Sequence, residues 1–214
     1  MVSEETLLSA AISRLLGDQG DADGGRELPL HVVPAAQRCT RIIYTTKIDW
    51  LTRLTDGLTA VPNHVAILWR YGPLSARHRA VVRAVAQSLD APVYFVGDLD
   101  PLDLVTYATL TEPSESPLAA MNYLGISDTW LERCERDLAS RPGMTIQAVC
   151  IQMEPQEQKG LARLKQLPPP WTDPVGPRAS SLLAGGLKLE LEGASNPDLY
   201  SRAFRDDLVR SLFG

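Results

Sequence analysis

The most chemically suggestive stretch of the sequence is Val93-Tyr-Phe-Val-Gly-Asp-Leu-Asp-Pro101, an apolar run that stops at two aspartates one residue apart. If the run is a strand of a parallel sheet, its carboxyl end is where α/β proteins build their sites. Residues two apart on an extended chain point to the same side, so Asp98 and Asp100 would bring their carboxylates together. Close like charges need neutralising. A hard divalent cation with an incomplete protein shell, Mg2+, suits such a pair. The same Gly-Asp-Leu-Asp-Pro string has the composition of a plain strand-ending turn, so the motif alone leaves both readings open.

Other side chains offer less. Arg70, Arg77, His78, Arg79 and Arg83 form the densest basic region. If the turn after the second strand faces the aspartates, Arg70, Arg77 and Arg79 could grip a phosphate backbone; a solvated helix face is the alternative. His31, His64 and His78 are too scattered for a metal triad or a serine-type catalytic set. Tyr44, Tyr71 and Tyr94 sit in or beside expected strands and read as packing residues with a satisfied hydroxyl. Glu190 and Glu192, spaced i, i+2, would diverge on a helix. Cys39, Cys134 and Cys150 make no CxxC pair and read as buried thiols.

These residues need a scaffold. Arg41 to Thr45, Val65 to Trp69 and Val93 to Val96 are short runs rich in β-branched or aromatic residues, each followed by a helix-like segment, which predicts a parallel sheet. Ser75 to Leu89 carries Val81, Val82, Val85, Ala86 and Leu89 at helical spacing and should cross over and pack on that sheet, ending at Asp90-Ala-Pro. Beyond Leu104 the pattern predicts a helix through Tyr107, a turn-rich Glu-Pro-Ser-Glu-Ser-Pro stretch, a helix from Asp128 to Ser140 and a fourth strand within Thr145 to Met153. Pro168 to Pro170, with Trp171 behind, predict an extended connection. Ser180 to Glu192 and Leu199 to Phe213 predict a closing helical hairpin around Asn196-Pro197.

At the other end, Leu7, Leu8, Ala11, Ile12, Leu15 and Leu16 recur at helical spacing, and the Gly- and Asp-dense stretch from Asp18 to Arg26 predicts a linker. The expected division is therefore an N-terminal helix and linker over 1–40 and an α/β domain over 41–214. With 214 residues, 44% hydrophobic and 22% charged, the chain can bury a core. Its net charge of −5 excludes coating nucleic acid by charge alone, so any DNA contact must be local. Glu4 and Glu5 stand where a signal peptide needs basic residues and no apolar run reaches membrane-spanning length, which predicts a cytoplasmic protein without a membrane partner.

The order of these pieces resembles the Toprim domain of topoisomerase VI and its meiotic double-strand-break relatives; similar domains occur in Wadjet-type plasmid-defence nucleases. Asp98-Leu-Asp-Pro101 is similar to that family's Asp-x-Asp-Pro motif, with Asp103 in place of a glycine. Ile42-Ile-Tyr-Thr-Thr-Lys47 resembles the strand that ends in a Glu-Lys pair, which places Lys47 at the family's lysine and Thr46 at its glutamate. Val65-Ala-Ile-Leu-Trp-Arg-Tyr-Gly-Pro73 with Arg77 and Arg79 looks like the second strand, its turn and an Arg-bearing helix. Tyr123 to Asp128 and the Lys188-Leu-Glu190 segment are similar to later parts, so the resemblance spans roughly 41–213.

The resemblance implies a Toprim-like, Rossmann-like parallel sheet of about four strands, with Asp98 and Asp100 as ligands of Mg2+ and Lys47 beside them. It also implies a defect, because Thr46 can neither hold a negative charge nor accept a proton near neutral pH. Asp103 or Asp49 could replace the lost carboxylate. Asp103 is expected on the other side of the sheet edge as a helix-capping acid, and Asp49 as an N-cap or first-turn acid. The family's tyrosine nucleophile lies on a separate domain that 1–40 is too short to hold. The expected function is a DNA-associated or partner-binding subunit of a larger DNA-processing, chromosome-maintenance or defence complex, with a homodimer left open. The alternatives are an active Mg2+-dependent nuclease using Asp98 and Asp100, and a structural interaction module that binds no metal.

Overall fold

The structure is a computed structural model that describes residues 30–57, 60–72, 74–111, 121–164 and 173–214. The expected N-terminal helix, the linker from Asp18 to Arg26, the Glu-Pro-Ser-Glu-Ser-Pro turn and the proline run with Trp171 lie outside the described residues.

The three apolar runs are strands with the expected bounds: β2 (Arg41–Thr45), β3 (Val65–Trp69) and β4 (Val93–Val96). Adding β1 (His31–Val33) and β5 (Asn122–Tyr123), they form a five-stranded sheet of order β1-β3-β2-β4-β5. β2, β3, β4 and β5 are parallel, and β1 pairs antiparallel with β3 at the edge. The sheet thus begins at His31, ten residues ahead of the boundary expected at Arg41. The fourth parallel strand is Asn122–Tyr123, not the Thr145 to Met153 segment. That segment instead makes one helical turn, α5 (Ile146–Val149), and then β6 (Ile151–Gln152).

Alternation along the strands sends side chains to two layers. Ile43, Val65, Ile67 and Val96 face one layer with α1 (Ile48–Leu54), α4 (Asp128–Leu138), α7 (Pro177–Ala184) and α8 (Arg202–Phe213). Ile42, Tyr44, Ala66, Leu68, Val93 and Phe95 face the other with α2 (Ala76–Leu89). The helix α3 (Pro101–Thr111) contributes to both layers, Leu104 and Val105 to the first and Tyr107 and Leu110 to the second. Strands buried on both faces carry continuous apolar runs, which is why these three were recognisable in the sequence. α2 starts at a capping box in which Ser75 Oγ accepts from His78 N, and it ends at Asp90 in the left-handed conformation. This is an α/β fold with a mostly parallel sheet between helices, compatible with a Rossmann-like class.

The C-terminal third departs from the expected helical hairpin. α7 stops at Gly185-Gly186, where Gly186 takes φ +78, a value that favours glycine. The chain then turns extended: β7 (Leu187–Lys188) pairs antiparallel with β6. Leu189 exchanges both backbone hydrogen bonds with Leu99, at 2.9 and 3.2 Å. This strap, which was expected to be helix through Glu192, is laid directly against the loop that carries the aspartates. A helix α6 (Pro155–Leu164) precedes α7.

Candidate metal centre

Among the four parallel strands the order reverses between β2 and β4, since the first strand in sequence has the second on one side and the third on the other. Open α/β sheets bind ligands in the crevice outside the carboxyl ends at such a reversal. Thr45-Thr46-Lys47 leaves β2 there and Gly97-Asp98-Leu99-Asp100 leaves β4 beside it.

Asp98, Asp100 and Asp103 are brought together, one carboxylate oxygen of each lying within 4.8 Å of the others. All three are buried, at 0%, 5% and 2% exposure. The expected pair has become a triad, and the position given to Asp103 needs correcting. Asp100 is the residue that caps α3, its Oδ1 accepting from Asp103 N at 2.7 Å. That tight first turn swings the Asp103 side chain back under the strand end. There its Oδ2 accepts from Asp98 N at 2.6 Å and its Oδ1 from Thr46 Oγ1 at 2.7 Å. Gly97 makes room: a Cβ at that position would stand 2.7 Å from both Asp103 Oδ2 and Phe95 Cε1.

Asp98 is held from two further directions. Leu191 N on the C-terminal strap donates to Oδ1 at 2.8 Å, and the Lys47 ammonium forms an ion pair with Oδ2. Thr46 and Lys47 therefore both reach the site, Thr46 as a hydrogen-bond donor to a carboxylate. Asp49 does not join: it sits in the first turn of α1, where its Oδ2 accepts from Tyr71 Oη at 2.8 Å.

The electrostatics are those of three acids around one cation. Burial, then the charge of Asp100, push the Asp98 carboxyl up to about 7 against the pull of Lys47. Asp103 is raised well above the ordinary carboxylate range, by burial and then by Asp100 and Asp98. For Lys47 burial favours the neutral amine, but Asp98 and Asp103 outweigh it and hold the side chain firmly protonated.

The donor set fits a hard divalent cation. Oxygens on one octahedral Mg2+ stand about 3 Å apart when neighbouring and about 4.2 Å when opposite, so three oxygens within 4.8 Å of one another must draw in to share one ion. Five donors are already in place, from Leu191 N, Lys47, Thr46, Asp98 N and Asp103 N. Three carboxylates offer roughly twelve lone-pair positions, so acceptor capacity remains.

The arginines proposed for phosphate differ in exposure. Arg70 is buried, its Nη1 reaching Gly72 O, and Arg79 turns toward the Thr109 carbonyl of α3; only Arg77 is exposed. Of the three tyrosines read as packing residues, Tyr44 and Tyr94 pack, while Tyr71 is half exposed and gives its hydroxyl to Asp49. Tyr94 lies under the Arg41 guanidinium, and Tyr44 stacks near Phe95. The Tyr44 hydroxyl, buried and pushed up by that burial, finds no hydrogen-bond partner where a satisfied one was expected. Lys188 pairs with Glu157 at 2.8 Å and lies 3.8 Å from Glu190. Cys39 and Cys134 are buried, Cys150 half-buried. Among the described residues no helix is long and apolar enough to cross a membrane.

Neither the protein-family models nor the curated proteins compared with this chain match it.

Proposed function

We propose that the chain is a Toprim-like subunit of a larger DNA-processing, chromosome-maintenance or defence assembly. In this reading it holds Mg2+ on Asp98, Asp100 and Asp103 and does not cut DNA by itself. The observation that carries the reading is the buried triad at the sheet's switch point, where Asp103 supplies a carboxylate and Thr46 orients it. The resemblance leads to a missing acid at Thr46; the triad supplies one from the first turn of α3 instead.

Two features favour a binding role over cleavage. The carboxylates are almost fully buried, so a phosphodiester meets Lys47 before it meets the acids. Hydrolysis also needs a base or nucleophile within hydrogen-bond reach of the reacting atoms; Tyr44, Tyr107 and Tyr200 are buried in the packing, and the exposed Tyr71 gives its hydroxyl to Asp49. DNA contact, if made, is local and at Arg77, and the assembly is completed by a partner subunit or a second copy of the chain.

A second reading is favoured by one specific observation: the Lys47 ammonium already neutralises part of the triad. The cluster could then be a structural knot that ties β2, β4, α3 and the C-terminal strap together without metal.

Cleavage is tested by incubating the purified chain and Asp98→Ala with supercoiled plasmid in Mg2+ or Mn2+. The expected result is no nicking by either. Metal-dependent nicking that Asp98→Ala abolishes would establish a nuclease and overturn the proposal.

A further inference from the structure

Lys47 occupies an unusual station. Its ammonium is paired with Asp98, a fully buried acid, yet the Lys47 side chain keeps 28% of its surface exposed. Its four-carbon stem is flexible and carries a compact point charge, so it can change partners without backbone movement. A divalent ion on Asp98 and an ammonium on the same carboxylate repel one another, so each weakens the other's hold.

There is a place for it to go. Leu191, which grips the other oxygen of Asp98, is followed directly by Glu192. Arg53 binds Glu192 Oε1 at 3.1 Å, an exposed ion pair, but Glu192 Oε2 is buried and has no hydrogen-bond partner. A buried carboxylate oxygen without a donor is costly. Asp49 and Tyr71 lie in the same neighbourhood: the Tyr71 hydroxyl donates to Asp49, and its electrostatic environment includes both Lys47 and Glu192. Glu192 thus stands one residue beyond the backbone N–H that grips Asp98, a second acceptor on the same strap.

We propose that Lys47 is an internal counter-cation that a divalent ion displaces, moving from Asp98 to Glu192 Oε2 when the triad takes the metal. The inference rests on the metal-binding reading above. With the ammonium inside, part of the triad's charge is neutralised and Asp98 Oδ2 is occupied; with it outside, the three carboxylates are available and Glu192 gains its missing donor. Lys47 is in this account a positioning residue that sets the metal affinity, and Glu192 is its receiver.

The test is calorimetric titration of the full chain with Mn2+, using wild type, Lys47→Met, Glu192→Gln and Arg53→Ala, each checked for folding by circular dichroism. Removing a unit charge that competes for the site should tighten Mn2+ binding in Lys47→Met by roughly tenfold or more. Glu192→Gln keeps the fold, since only an exposed pair is lost, and should weaken Mn2+ binding because the displaced ammonium loses its anionic receiver. Arg53→Ala removes the exposed pair alone and should leave the affinity unchanged. In the double variant Lys47→Met with Glu192→Gln the weakening should vanish. Wild-type binding that is unchanged or weakened in Lys47→Met, or unaffected in Glu192→Gln, overturns the displacement while leaving the metal site standing. No Mn2+ binding by wild type or Lys47→Met overturns the metal reading and this inference with it.

Discussion

Replacing Thr46 by valine removes one hydroxyl and almost no volume, so it isolates the hydrogen bond to Asp103. Thr46 is 6% exposed, and its Oγ1 donates to Asp103 Oδ1 at 2.7 Å inside the buried triad. A buried side-chain hydrogen bond contributes roughly 0.5–1.5 kcal/mol, and leaving its buried acceptor unsatisfied costs roughly 1–3 kcal/mol. Valine also suits the end of a strand, so no propensity loss is mixed in. For a domain of this size that loss lowers the melting temperature by roughly 3–10 °C. Urea unfolding followed by tryptophan fluorescence gives the free energy directly. Thr46→Ser is the control: it keeps the hydroxyl and loses only a methyl, so it should lose less stability than Thr46→Val although it removes more volume. If Thr46→Val falls within about 0.5 kcal/mol of wild type, or Thr46→Ser is the worse of the two, Thr46 does not orient Asp103 and the replacement-acid argument fails.

Two further outcomes are expected. Gly97→Ala sets a Cβ 2.7 Å from Asp103 Oδ2 and Phe95 Cε1, which should destabilise the fold by about 1–3 kcal/mol and weaken metal binding more than a distant core substitution of equal cost; unchanged stability would show that the triad can shift aside. The Asp98 carboxyl is raised from 3.8 to about 7, so between those values the native state binds more protons than the unfolded chain. Its contribution to stability is full below about pH 4 and is lost as pH rises through about 7. Comparing urea midpoints of wild type and Asp98→Asn across that window cancels the carboxylates outside the triad and reads the triad's shared titration; wild type should lose ground to the variant as pH rises, and Mg2+ should offset the loss. An identical pH profile for the two chains would contradict the placement of Asp98.

Much of the scaffold was readable because strands buried on both faces announce themselves: Arg41–Thr45, Val65–Trp69 and Val93–Val96 have the bounds their apolar runs predict. Asp98 and Asp100 were legible for the same reason, as acids at the end of such a run. Asp103 was misplaced because extended-chain alternation says nothing once a helix starts at Pro101. What brings it back is the Asp100 cap and the missing Cβ of Gly97, and the string Gly-Asp-x-Asp-Pro-x-Asp contained both signals. Asn122–Tyr123 was missed because two residues carry no period. Thr145 to Met153 was misread because its apolar residues serve one helical turn and a two-residue strand, which periodicity cannot separate. The helix expected from Ser180 to Glu192 ignored Gly185-Gly186, the one local signal that the chain turns extended and reaches Asp98 through Leu191.

A Mn2+ titration of the purified chain, followed by electron paramagnetic resonance of the free ion, shows whether Asp98, Asp100 and Asp103 hold a metal. One bound ion per chain is expected, displaced by excess Mg2+ and lost in Asp98→Ala with Asp100→Ala. A wild-type chain that leaves all the Mn2+ free would contradict the metal reading and leave Asp98, Asp100 and Asp103 as a charge-paired structural knot closed by Lys47.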